Sequence, residues 1–333
     1  MKFGRLPIED THHAVLAHAV RSTDGRRLIA KGSRLDASLI ALLREHGIRY
    51  VYVAILESGD LEENAAAERI AATVIGAGLS QNRSKGGRVT VRASMRGIIR
   101  INRQRLAALN SISGVTLATI GNHCEVAPGR AIATLKIIPF ALSTGQVNEA
   151  TSIGEVIHLD PIASQSTTIL VWGRAISRAA LLSAFAAAIS GRLEARGQTS
   201  ITTQYVEVNS TGSEAADPET VLAHAITEAS QSAELIIIAG ESAIMDERDL
   251  VPMAVVQAGG HIDWLGAPVF PGNLLLIAHC QGATVIGAPG CARSSSHNVI
   301  DLLVPRILAG ETLTASSVIE LACGGMLTGQ VWA

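Results

Sequence analysis

The sequence predicts an α/β protein: a three-layer α/β/α domain on a mainly parallel sheet in the C-terminal half, preceded by smaller N-terminal α+β modules. Three observations predict this. From about Ser164, short apolar runs alternate with helix-like segments, the rhythm of a parallel sheet covered on both faces. One run, Glu234 to Ala239, is apolar almost throughout, as a doubly buried strand must be. Hydrophobic residues make up 48% of the 333 and charged residues only 17%, which supplies large cores and argues against disorder. Aromatics are 3%, so Ala, Ile, Leu and Val must fill those cores.

The elements follow in order. Asp36 is placed to cap a helix carrying Leu39, Ile40, Leu42 and Leu43, and Gly47 stops it. Arg49 to Leu56 is a strand, and Leu61 to Ile75 an Ala-rich helix. The polar stretch Gln81 to Gly87 reads as a hinge. Val89 to Val91, Gly97 to Ile101 and Ala131 to Ile138 are short strands, and Asn102 caps a helix to Leu109. Then the texture changes. Thr167 to Trp172 is a strand, Ser177 caps a helix through Leu193, and Ile201 to Val208 is a strand. Pro218 opens a helix through Ser230, and Asp249 to Ala258 is a helix ended by Gly259-Gly260. Leu274 to Ala278 and Thr284 to Gly287 are strands before a helix from Ser294 to Leu308. The expected segments are 1–80, an N-terminal α/β module; 81–163, a small β-rich module; and 164–333, the α/β domain.

The formal net charge of −2 implies no large basic field, so nucleic acid is not the expected partner. Cys124, Cys280, Cys291 and Cys323 are far apart and form no C-x-x-C pair, which fits a reducing cytoplasm rather than a zinc or disulfide framework. The N-terminus shows no apolar signal core. The most apolar helical stretch, Ala179 to Ile189, is too short for a bilayer and reads as a buried helix, so no membrane partner is expected. Low charge on a compact chain fits a homo-oligomer.

In parallel sheets, ligands sit at the carboxyl ends of the strands, so the loops there are the candidate sites. Val285 to Asn298 (VIGAPGCARSSSHN) is a strand end, a tight turn and three serines before a helix. Gly287 and Gly290 allow close backbone approach, Ser294 to Ser296 can cap the helix, and Arg293 adds a cation. That combination suits a phosphate; an ordinary capped turn explains it equally well. Cys291 beside a helix start is the expected acidic thiol. Gly240 to Asp249 (GESAIMDERD) follows the most buried strand and carries Glu241, Asp246, Glu247 and Asp249. These carboxylates suit Mg2+ or ligand orientation, or simply a helix cap. Gly266 to Asn273 (GAPVFPGN) holds the turn pair Pro271-Gly272. His12, His13 and His18 share a helix-like spacing, for which a plain structural role suffices.

Together, from Ala239 through the serine-capped helix, these loops resemble the molybdopterin-binding domain of the MoeA/gephyrin-like molybdenum-insertion proteins. That family carries a GGxSxGxxD loop after a buried strand, then a PGKP segment, then a GLPGNPVS turn. The counterparts are Gly240-Glu241-Ser242 with Asp249, then Pro271-Gly272-Asn273, then Gly287-Ala288-Pro289-Gly290 with Ser294. The segment Ala30 to Leu56 also looks like a small module of cofactor-maturation proteins. The resemblance implies molybdopterin or molybdenum cofactor as ligand, bound by Gly240, Glu241, Ser242, Pro271, Gly272, Asn273, Gly287, Pro289, Gly290, Cys291, Arg293 and Ser294. It implies Asp249 as the catalytic carboxylate, and Asp246 with Asp249 as holders of Mg2+. A nucleotidyltransferase or a molybdoenzyme chaperone is the implied protein partner.

The sequence departs from the family at several points. Glu241 replaces the second glycine, Asn273 the lysine, and Cys291-Ala292 the Asn-Pro. Gly173-Arg174-Ala175 stands where an STGDE loop is expected, and Asp217 alone represents a later acidic pair. The expected function is therefore cofactor binding, biosynthesis or delivery. The alternatives are molybdate insertion into adenylated molybdopterin, and a structural or regulatory relative with no ligand.

Overall fold

The computed structural model describes residues 1–208 and 217–327, so the end of the expected 164–333 segment, 328–333, lies outside the described residues. The chain forms two compact units, Met1–Pro161 and Ile162–Ala333.

The first unit holds two cores. One is built from Ile8, Leu16, Ile29, Leu35, Leu43 and Val53, around the antiparallel sheet Lys2–Pro7, Tyr50–Ile55 and Val15–Leu16. Helix Ala37–Glu45 closes it, and Asp36 caps that helix by accepting from the Leu39 N–H at 2.9 Å. The other core joins helix Glu63–Val74 to a four-stranded and a three-stranded antiparallel sheet. Asn102 caps Arg103–Ser111 as its position suggested. Helix Thr144–Ser152, absent from the sequence expectation, starts in a capping box between Ser143 and Gln146.

The second unit carries six strands: β1 (Thr167–Gly173), β2 (Ile201–Glu207), β3 (Leu235–Gly240), β4 (His261–Leu265), β5 (Leu276–Cys280) and β6 (Ala283–Gly287). They form one sheet in the order β2-β1-β3-β6-β5-β4. β2, β1, β3 and β6 are mutually parallel, whereas β6–β5 and β5–β4 are antiparallel. The helices are α1 (Ala175 to Glu194), α2 (Pro218–Ser230), α3 (Leu250–Gln257), α4 (Val299–Leu308) and α5 (Ala315–Ile319). Phe185, Ile189 and Leu193 of α1 join α4 against Ile169, Ile237 and Ile286. Leu222 and Ile226 of α2 join α3 against Leu170, Ile238 and Val285. Helices therefore cover both faces of the sheet. Every residue of β1 is buried, the pattern of a central parallel strand.

Three expectations need correction. The sheet is mixed, and across both units the sheets are mostly antiparallel, with only β1–β2, β1–β3 and β3–β6 parallel among described residues. The cause is the Gln281-Gly282 turn, both residues at positive φ (50° and 91°), which returns β5 directly into β6. So short a link permits only an antiparallel pair. Second, α1 is neither short nor buried. Its 20 residues are long and apolar enough to cross a membrane, yet 22% of that stretch is buried, and Ile176 is 88% exposed. Only one stripe faces the sheet, and the outer positions are mostly small residues with Ile176, Arg178 and Glu194 among them. A π-helical segment, Leu182–Ala186, shifts the register of that stripe midway. Third, Ser177 makes no cap bond to α1.

Both cores of the second unit draw only on residues from 162 onward. Expressed alone, residues 162–333 should melt cooperatively with a folded near-ultraviolet spectrum. A broad transition with strong ANS binding would show that the unit needs the rest of the chain.

Candidate functional site

The connection from β1 through α1 returns to β2 on one side, and α2 then carries the chain across to β3 on the other. The topological switch point thus lies at the carboxyl ends of β1 and β3, the place where open α/β sheets bind ligands. Its walls are Gly173-Arg174 and Gly240-Glu241.

Glycine is required at both walls. A Cβ on Gly240 would stand 2.3 Å from Nε1 of Trp172, whose indole is 6% exposed. One on Gly173 would stand 2.6 Å from Leu181 and 3.2 Å from the Glu241 carboxylate. Close-set glycines let Glu241 reach across. Its Oε1 accepts from Arg174 Nε (2.8 Å) and Nη2 and from the Ser177 hydroxyl (2.9 Å), and its Oε2 accepts from the Arg174 backbone N–H (3.0 Å). The Tyr205 hydroxyl donates to the Arg174 carbonyl at 2.6 Å, and the Arg178 guanidinium lies 5.3 Å from the centre of the Tyr205 ring. The Arg174 bonds, with help from Ser177, hold the Glu241 carboxyl down at about 2. Glu241 in turn raises Arg174.

The flanking loops share this edge of the sheet. Residues 241–249 fold back so that Ile244 packs over Gly287, where a Cβ would meet it at 2.5 Å. Gly287 is therefore a packing glycine. Pro289 is buried; Gly290 is not packed, and a Cβ there would touch nothing within 4 Å. Ser242, Arg293 and Ser294 are exposed, and Arg293 has no ion pair among the described residues. Pro271 accepts from the Val299 N–H at 3.2 Å, and Gly272 lies against the Val299 side chain. Asn273 donates to the Ala267 carbonyl at 3.1 Å, pinning its own loop.

The serine-rich loop differs from expectation. The helix begins at Val299, and its cap is Asn298, in a capping box with Asp301. The serines do not cap it, because their carbonyls are drawn inward. Arg192 of α1, 8% exposed, donates to the carbonyls of Ala292 (3.2 Å), Ser294 and Ser296 (2.9 Å) and to the Asp301 carboxylate. The first N–H groups of α4 are taken by Pro271, by the Asn298 side chain and by the Asn298 carbonyl. The helix start thus offers an incoming phosphate none of the donors the sequence suggested. Cys291 is corrected too: burial pushes its thiol up rather than down.

The acidic loop is self-satisfied. Asp249 accepts from the Met245 and Asp246 N–H groups, and Asp246 from the Arg248 N–H at 2.9 Å. Among the described residues no three His, Cys, Asp or Glu side chains gather around a metal position. Asp246 and Asp249 spend their carboxylates on N–H groups of their own loop rather than turning them together toward a cation. The sequence reading missed Arg174, Ser177, Tyr205 and Arg192. The one local sign was an arginine at 192 inside an apolar helix.

The chain is thus an α/β protein with an Arg174–Glu241 ion pair at the switch point of its second unit's sheet. No protein-family model matches it, and no curated protein matches it. Among solved structures it is similar, at 12% identity and a TM-score of 0.25, to a molybdenum cofactor biosynthesis protein from Pyrococcus furiosus. That match covers 96% of this chain, which spans 65% of the relative's length. Two molybdopterin biosynthesis MoeA proteins from Pyrococcus horikoshii are similar at 12% and 9% identity, with TM-scores of 0.29 and 0.27. They match 93% and 92% of this chain over 75% and 74% of their own. Likeness this weak carries no argument about what the chain binds.

Two outcomes follow from the geometry. Gly240→Ala forces its methyl into the buried Trp172 ring and should lower stability by about 1–3 kcal/mol, read from denaturant melts. The Glu241 carboxyl should titrate near 2 by carbon-13 NMR and move up in Arg174→Ala. Because its folded value lies below the ordinary 4.5, the pair's contribution to stability is complete above that pH. It is lost as pH falls toward about 2.

Proposed function

We propose that residues 164–333, within the second unit, bind an anionic, phosphate-bearing pterin of the molybdopterin type at the carboxyl edge of the parallel strands, and serve the biosynthesis or delivery of that cofactor. The observation that carries this reading is the cluster of Arg174, Ser177 and Glu241 at the switch point between β1 and β3. The three flanking loops extend that edge: Gly240, Glu241 and Ser242; Pro271, Gly272 and Asn273; and Gly287, Pro289, Gly290, Cys291, Arg293 and Ser294. In this reading Gly290, Arg293, Ser242 and Ser294 face the ligand. Gly240, Gly272, Gly287 and Pro289 shape the backbone, and Asp249 orders its loop rather than the ligand. The reading favours binding over molybdate insertion, since no metal-holding carboxylate cluster stands among the described residues. Delivery implies a receiving protein, of the nucleotidyltransferase or molybdoenzyme-chaperone kind, and a homo-oligomer fits the low surface charge.

Purified from cells that make the cofactor, the protein should carry a pterin that fluoresces after oxidation. Gly290→Val should remove it. The new side chain enters open space, so the melting temperature should stay within a few degrees. No pterin on wild type, or full pterin on a folded Gly290→Val, overturns the proposal.

A further inference from the structure

Three polar donors converge at the end of β1 on one point: the Arg174 guanidinium, the Arg174 backbone N–H and the Ser177 hydroxyl. They bind an anion now, and that anion is the protein's own Glu241. The arrangement is rigid. Arg174 and Ser177 stand at the start of the 20-residue α1, and the Tyr205 hydroxyl fixes the Arg174 carbonyl from the next strand. Arg293, another cation of this edge, sits on an exposed loop and lacks such support. Yet the guanidinium of Arg174 is 60% exposed, so an incoming group can reach it.

We propose that Glu241 is the specificity-determining residue of this switch point: it competes internally for the donors of Arg174 and Ser177, so that only a ligand bringing a doubly charged anion of the phosphate kind displaces it. This rests on the switch point being the ligand site. A tethered carboxylate brings one charge and two oxygens, and it loses little entropy on pairing. A phosphate brings nearly two charges and three strong acceptor oxygens, and the planar guanidinium fork accepts either. A free monoanion gains nothing over Glu241 and is excluded. A dianion gains enough to swing Glu241 out, and its apparent affinity is its intrinsic affinity scaled by the fraction of time Glu241 leaves the donors free. Glu241 follows β3 directly and is half-buried, its backbone N–H held by the Trp172 carbonyl, so its side chain can rotate off the donors while the strand stays in place. Nothing in the contact is covalent; displacement exchanges one set of hydrogen bonds for another.

The test titrates inorganic phosphate, then acetate, into the full-length protein by NMR. Wild type should bind phosphate weakly and acetate not at all. Glu241→Gln should bind phosphate about tenfold tighter, and Glu241→Ala tighter still, with acetate now competing. Adding Arg174→Ala to either variant should erase the gain, whereas adding Arg103→Ala, at an exposed position on a helix of the first unit, should leave it. Near-ultraviolet spectra establish that each variant is folded, and the Gln variant decides if the Ala variant melts. Phosphate affinity unchanged or weakened in folded Glu241→Gln overturns the proposal, and so does a gain that survives Arg174→Ala. Pterin copurification is read separately. Bound pterin with unmoved phosphate affinity sinks the competitor and spares the ligand reading; the reverse pattern spares the competitor and sinks the pterin.

Discussion

The second unit depends on β1 lying inside the sheet, with β2 on one side and β3 on the other. A crossover between parallel strands keeps one hand, so a chain that steps left from β1 and later returns to its right must place its two crossing helices on opposite faces. That single constraint creates the two cores, one under α1 and α4 and one under α2 and α3. It also puts the switch point at the carboxyl ends of β1 and β3. The residues there are selected by clearance before chemistry. Gly173 and Gly240 have no room for a side chain, because Leu181 and Trp172 already fill the space. Chemistry then falls to the next residue on each wall, and those residues are Arg174 and Glu241.

How much of this was legible depended on how local each cause is. The doubly buried strands β1 and β3 showed as unbroken apolar runs. The start of α2 was written in Asp217-Pro218, a cap followed by a residue preset for the first helical turn, and the helix spans Pro218–Ser230 as read. Helix Thr144–Ser152 did carry a local sign, the capping box Ser143-x-x-Gln146. Other features had none. Gln281 is not a residue that advertises positive φ, so the hairpin that turns the sheet antiparallel stayed hidden. β4 is a short edge strand of mixed polarity, HIDWL, with no clean alternation.

The serine loop shows a sharper failure. Ser294 to Ser296 satisfy every local rule for a helix cap, yet the cap is Asn298. The rule lost to Arg192, some hundred residues earlier in the chain, whose buried guanidinium needs several acceptors and finds three of them in the carbonyls of this loop. A buried charge left without partners costs several kcal/mol, whereas choosing one capping residue over another is worth about one. Satisfying the buried charge therefore decides where the helix begins. It also closes the helix start to outside anions, so a motif that reads as a phosphate cradle becomes a supporting wall.

The candidate site itself was half visible. Glu241 stood out as a departure from the resembling family's second glycine, and Gly173-Arg174-Ala175 as a departure from its acidic loop. Read separately along the chain, each looks like a loss of function. In space the two departures are one event, because Arg174 and Glu241 are ion-paired across the switch point, 67 residues apart in sequence. The β1 wall therefore carries the cation and the β3 wall the carboxylate, and each satisfies the other at the carboxyl edge of the sheet.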